Sequence, residues 1–559
     1  MHEETESTLR TNTWQSRTQR YREAAAAKIP EAWRLDKQFT EDVGPTSQRS
    51  VLDVPSKCGI LTDEELDITE NFDIVALLER LAQGAVSSEA VTTAFCKRAA
   101  IAQQVTNCLT ETFFDQALAR AKECDAYLSS EKKTMGPLHG LPVSLKDSFT
   151  VKGIASTIGF VSFMDHPVAD DDGALPKILL ALGAVLYVKT NIPQSLMTAD
   201  SDNNVFGRVL NPNKLLLGAG GSSGGEGALL AMKGSPIGVG TDIAGSIRIP
   251  AYVNGTYGLK PTSGRVPYGG QKGPARAGSF GIMPCAGPLA RSVRDIEYFM
   301  RAVLSFDCWT LDEGVIAVPW RQQDAPAASQ GTEEQGKKTL ALGLILEDPK
   351  YPLHPPVLRT LKTARAKLEE AGHKVIDLAP YLPPGLINDA NESGYTNFAM
   401  DPAKTSLGHI NRSGEAIVPS ILTGSLPELK HFQPSVDDVF RLNVERQRFK
   451  SIFRELYVKH KLDGVVLPTY QGTAVKHDMY GLPPYTLLVN VLDYPSITLP
   501  YMKADKGLDV DFRRDVTYIP PYVPDEVEGA PCGIQLMGRP MRDEELVADA
   551  QVIVDALAE

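Results

Sequence analysis

The chain has 559 residues, with 57 Lys+Arg against 69 Asp+Glu, a formal net charge of −12, and 43% apolar and 23% charged residues. That composition excludes a disordered or collagen-like chain. The acidic balance, without any basic tract, excludes general nucleic-acid binding, which depends on basic stripes displacing counterions. At roughly 100–200 residues per domain, the length allows about three or four domains or one unusually large fold.

The seven cysteines (Cys58, Cys96, Cys108, Cys124, Cys285, Cys308 and Cys532) are odd in number, widely spaced and free of any C-x-x-C pair. Neither a disulfide framework nor a zinc site is indicated, and reduced thiols suit a cytosolic protein. Met1–Arg22 is polar, without the apolar core of a secretory signal. No stretch approaches about 18 uninterrupted apolar residues, so no integral membrane segment is expected. The expected localisation is cytoplasmic.

In chain order, residues 23–130 read as helical. Thr62-x-x-Glu65 has the form of a capping box. Ile74, Leu77, Leu78 and Leu81 recur at helical spacing before Gly84 ends the run. Ser87 or Ser88 can cap the next helix, which carries Val91, Ala94, Phe95 and Ile101, and a third helix is expected around Phe114–Leu128. These stripes read as core packing.

From Gly140 the pattern changes to short β runs among Gly-rich turns. Val143 and Leu145 alternate with Ser144 and Lys146, and Ala184–Val188 is a compact β run. Strands among helices imply an α/β protein with a substantial sheet. Residues 321–338 are polar and read as an exposed loop or linker. Beyond it, a strand at Ala341–Leu346, a helix from about Val357 to Glu370 and a strand at Lys374–Leu378 form a strand–helix–strand unit without a dinucleotide fingerprint. A further strand is expected over Asp463–Leu467.

The densest signal lies between Gly218 and Pro250, GAGGSSGGEGALLAMKGSPIGVGTDIAGSIRIP. Glycine at this density implies backbone approaches that a Cβ would obstruct. A phosphate loop is one reading, but the third glycine is misplaced and Lys233 is not at a Walker position. A nucleophile elbow is another, because Gly221-Ser222-Ser223-Gly224-Gly225 contains Gly-x-Ser-x-Gly. It would need a preceding strand, whereas Asn211-Pro212-Asn213 is turn-like. A histidine partner would come from His354, His373, His409, His431, His460 or His477, none of them singled out by its surroundings. The third reading joins the serines to a lysine. A serine hydroxyl is a poor nucleophile until its proton is taken, and a buried neutral lysine can take it, through a second hydroxyl if needed. Lys146 is the candidate, although a lone lysine is usually a surface residue.

At these residues the sequence resembles the amidase signature family. Gly220–Gly225 and Gly240-Thr241-Asp242-Ile243-Ala244-Gly245-Ser246-Ile247-Arg248-Ile249-Pro250 fit the signature, including the gap between its halves. Gly140–Asp147 is similar to the family's lysine strand, and Gly258–Pro267, Gly287–Val293 and Ala530–Gly538 to its other blocks. The resemblance covers roughly residues 55–559. Ile29–Trp33 and Ala94–Gln104 resemble the fungal acetamidase-type branch.

The resemblance implies a large mixed, mostly parallel sheet flanked by helices on both faces. Residues 1–54 would form an N-terminal helical or extended arm, and 55–559 the signature domain with an α/β insert at about 340–470. It further implies Ser246 as nucleophile, Ser222 as a bridging serine on a cis peptide, and Lys146 as the terminal base. The N–H groups of Ile243, Ala244, Gly245 and Ser246 would form an oxyanion hole, a role for which the Ala244 methyl requires a negative φ. Leu196 and Thr198 would lie in the substrate cleft. Ser223 would be supporting, Asp242 and Arg248 an ion pair or backbone brace, and Asp147 an orienting group or a turn cap. The implied reaction is hydrolysis of a small-molecule carboxylic amide without metal or organic cofactor. A homodimer is the assembly common in the family. A glutaminase-type subunit of a tRNA-dependent amidotransferase and a non-catalytic scaffold are the competing functions.

Overall fold

The computed structural model describes residues 13–321 and 338–559, so the polar run at 321–338 lies outside the described residues except for its two ends. The described chain carries eleven strands in a mixed sheet. It divides into two compact units, one of Met1–Val239, Gly269–Gly278 and Ala403–Gly424, the other of Gly240–Tyr268, Ser279–Pro402 and Ser425–Glu559. No described helix is long and apolar enough to cross a membrane.

The first unit opens on the helix Trp14–Ala27, tied down by Tyr21 Oη and Lys28 Nζ, which both donate to Glu111 at 2.6 Å. The expected capping box closes at Thr62 and Glu65, starting the helix Asp63–Glu70. Ile74–Ala82 then buries Ile74, Leu77, Leu78 and Leu81, as their spacing predicts. Ser87 caps the helix Ser88–Thr106. Gln104 on that helix donates to the Trp33 carbonyl at 2.9 Å and accepts from Leu35 N–H at 2.8 Å. The two segments that resemble the acetamidase-type branch are therefore hydrogen-bonded to one another. Helix Phe114–Glu131 follows.

Four strands belong wholly or partly to this unit: β1 (Leu109–Thr112), β2 (Pro142–Lys146), β3 (Val185–Thr190) and β4 (Ile237–Asp242). They run in the order β1-β3-β2-β4. β2 lies parallel to both β3 and β4, with Lys146 opposite Thr190 and Ser144 opposite Gly238. A parallel strand covered on both faces is buried throughout, and the polar side chains of β2 are buried with the apolar ones. The helix Gly224–Ala231, buried over most of its length, packs on β2 and β3.

The second unit contains β5 (Tyr257–Lys260), β6 (Cys285–Ala290), β7 (Ala341–Leu344), β8 (Lys374–Asp377), β9 (Gly464–Leu467), β10 (Ser496–Lys503) and β11 (Pro531–Met537). Their order is β6-β5-β10-β11-β9-β7-β8. The strand–helix–strand pattern after residue 340 is β7, the helix Pro355–Glu370 and β8, with β7 parallel to β8 and β9. The sheet is mixed, as expected, but parallel pairing does not dominate it. β1–β3, β5–β6, β5–β10, β10–β11 and β9–β11 are all antiparallel. The mostly parallel expectation rests on the resemblance alone, and the direction of each pairing is set by neighbours that come from distant parts of the chain.

Candidate active site

In the first unit, Lys146 ends β2 and is fully buried, not at the surface where a lone lysine is usually found. Its Nζ lies 2.7 Å from Ser222 Oγ, a hydrogen bond between two side chains 76 residues apart. Ser222 follows a cis Gly221–Ser222 peptide, as the resemblance implies. The serine loop is braced by Ser201, whose Oγ donates to the Gly220 carbonyl at 2.8 Å and accepts from Gly224 N–H at 3.2 Å. Ser223 is buried at the N-terminus of the helix Gly224–Ala231.

Asp147 is an anchor in this unit. It accepts from Thr110 Oγ1 at 2.7 Å and from Ile158 N–H at 2.8 Å, and Lys189 Nζ lies 3.4 Å away. Leu196 packs among Ile158, Phe160, Phe163, Ile192 and Ile410. The Thr198 hydroxyl donates to the Asp200 carbonyl at 2.7 Å, so its proton is engaged in holding its own turn.

In the second unit, Ser246 is buried in the turn between β4 and the helix Arg248–Asn254. Asp242, at the end of β4, organises this turn. Its carboxylate accepts from Gly245 N–H at 2.8 Å and Ile247 N–H at 3.1 Å. Arg248 closes on it through Nε at 3.1 Å and Nη2 at 3.0 Å, and Asn490 Nδ2 adds a further bond at 3.0 Å. Burial works against ionisation of this acid. The Arg248 charge and hydrogen bonds, aided by Lys260 and Asn490, outweigh burial and hold the carboxyl well below the usual range.

Arg248 reaches further, donating to Gln535 Oε1 at 3.0 Å, the Thr486 carbonyl at 3.0 Å and Asn490 Oδ1 at 2.6 Å. Gln535 belongs to the Ala530–Gly538 block, so that distant block supports the Ser246 turn through Arg248. Thr486 Oγ1 also donates to the Ala244 carbonyl at 2.7 Å. At Gly245 φ is +121°, and a Cβ there would lie 2.3 Å from Thr486 Oγ1, so no other residue fits. Ala244 is not among the residues with positive φ, so its methyl is compatible with the turn.

Of the four N–H groups expected to form an oxyanion hole, that of Gly245 is committed to Asp242. The expectation for that residue is corrected, because a donor already aimed at a buried carboxylate is not directed at a reacting oxygen. Ile243, Ala244 and Ser246 are the donors of this set that Asp242 does not take. Sequence reasoning did not single out Thr486, Asn490 or Gln535 in supporting roles, since nothing near them in the chain marks a contact with residue 248. It also passed over Glu226, whose signal was legible as an acid inside an apolar helix.

The Amidase family model matches residues 90–547 of the chain. The chain belongs to this family, the amide-hydrolysing enzymes that carry the amidase signature. It is 40% identical over 550 residues to an amidase of Gibberella moniliformis (strain M3125 / FGSC 7600), covering 97% of this chain and 99% of that one. It is 36% identical over 538 residues to an acetamidase of Aspergillus oryzae (strain ATCC 42149 / RIB 40), covering 94% and 95%. A solved fatty acid amide hydrolase superposes with a TM-score of 0.89 at 32% identity, over 99% of this chain and 96% of that one.

Proposed function

We propose that the protein is an acetamidase-like amidase that cleaves a carboxylic amide through a Ser246 acyl-enzyme, with Ser222 as proton relay and Lys146 as terminal base. The observation that carries this reading is the buried Lys146–Ser222 pair at 2.7 Å. An amine removed from water favours its neutral form, which is the form able to accept a proton. Ser246 attacks the amide carbonyl while its proton passes to Ser222, and the Ser222 proton passes to Lys146 Nζ. The N–H groups of Ile243, Ala244 and Ser246 stabilise the tetrahedral oxyanion, each donor contributing about 3–4 kcal/mol to lowering the barrier. The same chain returns the proton to the leaving nitrogen, because an amide anion is a poor leaving group. Ammonia or an amine departs, and water hydrolyses the acyl-enzyme by the reverse route.

The near full-length likeness to acetamidases supports a free-standing amidase over a glutaminase-type subunit. The test is ammonia release over a panel of aliphatic and aryl amides, with Ser246→Ala and Lys146→Ala run beside the parent. Each variant is expected to lose about a thousandfold or more in kcat. A fluorophosphonate should add one mass increment to the parent and none to Ser246→Ala. Equal activity of Ser246→Ala would overturn the mechanism. Activity should also fall on the acid side as Lys146 is protonated, and a flat rate down to about pH 5 would contradict its role as base.

A further inference from the structure

One buried titratable group in the first unit has no part in the mechanism just derived. Glu226 lies on the helix Gly224–Ala231, four residues beyond Ser222, and is fully buried. Its two oxygens are held by the strands that position Lys146. Ser144 Oγ, two residues before Lys146 on β2, donates to Oε2 at 2.6 Å. Thr190 Oγ1, on the residue paired with Lys146 across β3, donates to Oε1 at 2.9 Å. Ser144 and Lys146 therefore both direct their side chains towards the segment Ser222–Glu226. Gly238 on β4 makes room for the carboxyl, since a Cβ there would sit 1.9 Å from Glu226 Oε2.

The hydroxyls around Glu226 satisfy it in either protonation state. Ionised, it accepts from Ser144 and Thr190 while Ser235 Oγ donates to the Ile237 carbonyl at 2.7 Å. Protonated, it donates to Ser144, which turns its own proton to Ser235 Oγ at 3.0 Å, and Ser235 still donates to Ile237. No polar group is stranded in either arrangement, so the carboxyl can change charge without unfolding its surroundings.

The titratable groups facing Glu226 are Lys146 on β2, Tyr187 on β3 and Cys108 ahead of β1. Burial pushes the Tyr187 hydroxyl well above its ordinary value and the Cys108 thiol up to about 12, so both stay neutral. Lys146 is the basic group of the set. Resting on the reading of Lys146 as base, we propose that Glu226 is a positioning residue whose carboxylate is the buried counter-charge for the ammonium form of Lys146. When the relay delivers the Ser246 proton equivalent to Nζ, a positive charge appears away from water. Glu226 stabilises that charge from behind, and it is released when Lys146 returns the proton to the leaving nitrogen. No proton is gained or lost by Glu226 in the cycle. Burial pushes the Glu226 carboxyl up to about 7, against the pull of Ser144, Thr190 and Lys146, so the counter-charge forms as the pH rises through neutrality and disappears in acid.

The experiment is the pH profile of amide turnover in the parent and in Glu226→Gln. Without the carboxylate the lysine ammonium is less favourable, so the acid limb of kcat/KM should move down by about one pH unit. The plateau kcat should fall about tenfold or more, with KM within about threefold. A limb and plateau that coincide with the parent's would overturn the proposal. A second measurement does not require Glu226→Gln to fold: infrared titration of the protonated-carboxyl band in the parent and in Lys146→Met. Below the acid limb of turnover Lys146 is the ammonium, so its removal there should let that band persist to higher pH by about half a unit or more, and an unshifted band overturns the coupling. If Lys146→Met still turns over amides, the base assignment itself fails. If Lys146→Met is inactive and Glu226→Gln matches the parent, only the counter-charge role fails.

Discussion

Asp242 and Glu226 are both buried acids, one in the second unit beside Ser246 and the other in the first beside the Lys146–Ser222 pair. Desolvation is the largest influence on each and raises both. Their outcomes are opposite. Asp242 receives a guanidinium through two nitrogens, an asparagine amide and two backbone N–H groups, and its carboxyl is held well below the usual range. Glu226 receives two neutral hydroxyls and titrates near neutrality. Burial therefore does not decide the charge of an acid. The number and charge of its donors do, and this separates an acid that braces a turn from one whose charge can follow the medium.

The largest expected effect that tests this contrast is at Arg248. Arg248→Leu leaves the Asp242 carboxylate buried without its cation, which should cost about 3–5 kcal/mol in urea unfolding, with turnover falling as the Ser246 turn slackens. A loss under about 1 kcal/mol would mean that the backbone donors alone suffice. A smaller and oppositely signed pH dependence should appear at the two acids.

Asp242 has a depressed folded value, so its contribution is present above its unfolded value and is lost as the pH falls. The stability difference between the parent and Asp242→Asn should therefore shrink as the pH is lowered below about 4. Glu226 has a raised folded value, so its contribution is present below its unfolded value and is lost as the pH rises through about 7. The difference between the parent and Glu226→Gln should therefore shrink from about pH 5 to pH 8. Denaturation midpoints measured from about pH 2 to about pH 8 read both, and parallel curves would erase the contrast. The smallest effect is expected at Ala244→Gly, which trades an unstrained alanine for backbone entropy of about 0.5–1 kcal/mol and should leave kcat within a few-fold. A larger change would show that the methyl itself shapes the turn.

Much of the first unit was legible because its signals are local. The Thr62–Glu65 box, the Ser87 cap and the stripe Ile74, Leu77, Leu78, Leu81 each describe contacts within a turn or two. The strands β1, β4, β5, β6, β10 and β11 were not read, and β1 corrects the expectation that residues 23–130 are helical. Cys285–Ala290 carries a glycine and a proline, and Pro531–Met537 a proline and a glycine, so neither looks like a strand in isolation. They are strands because neighbours brought from far along the chain complete their ladders.

Within the candidate site, the sequence alone determined the residue types: Lys146, the paired serines at 222 and 223, Ser246 after a glycine, and the Asp242–Arg248 spacing. Those are statements about composition at short range, where motif and covalent geometry coincide. Tertiary structure alone decided that Lys146 is buried against Ser222, that Asp242 withdraws the Gly245 N–H, that Gln535 supports Arg248 and that Glu226 lies behind the lysine strand. Each of these is set by how distant segments pack and by the dielectric they create, and neither is a property of a residue's neighbours in the chain.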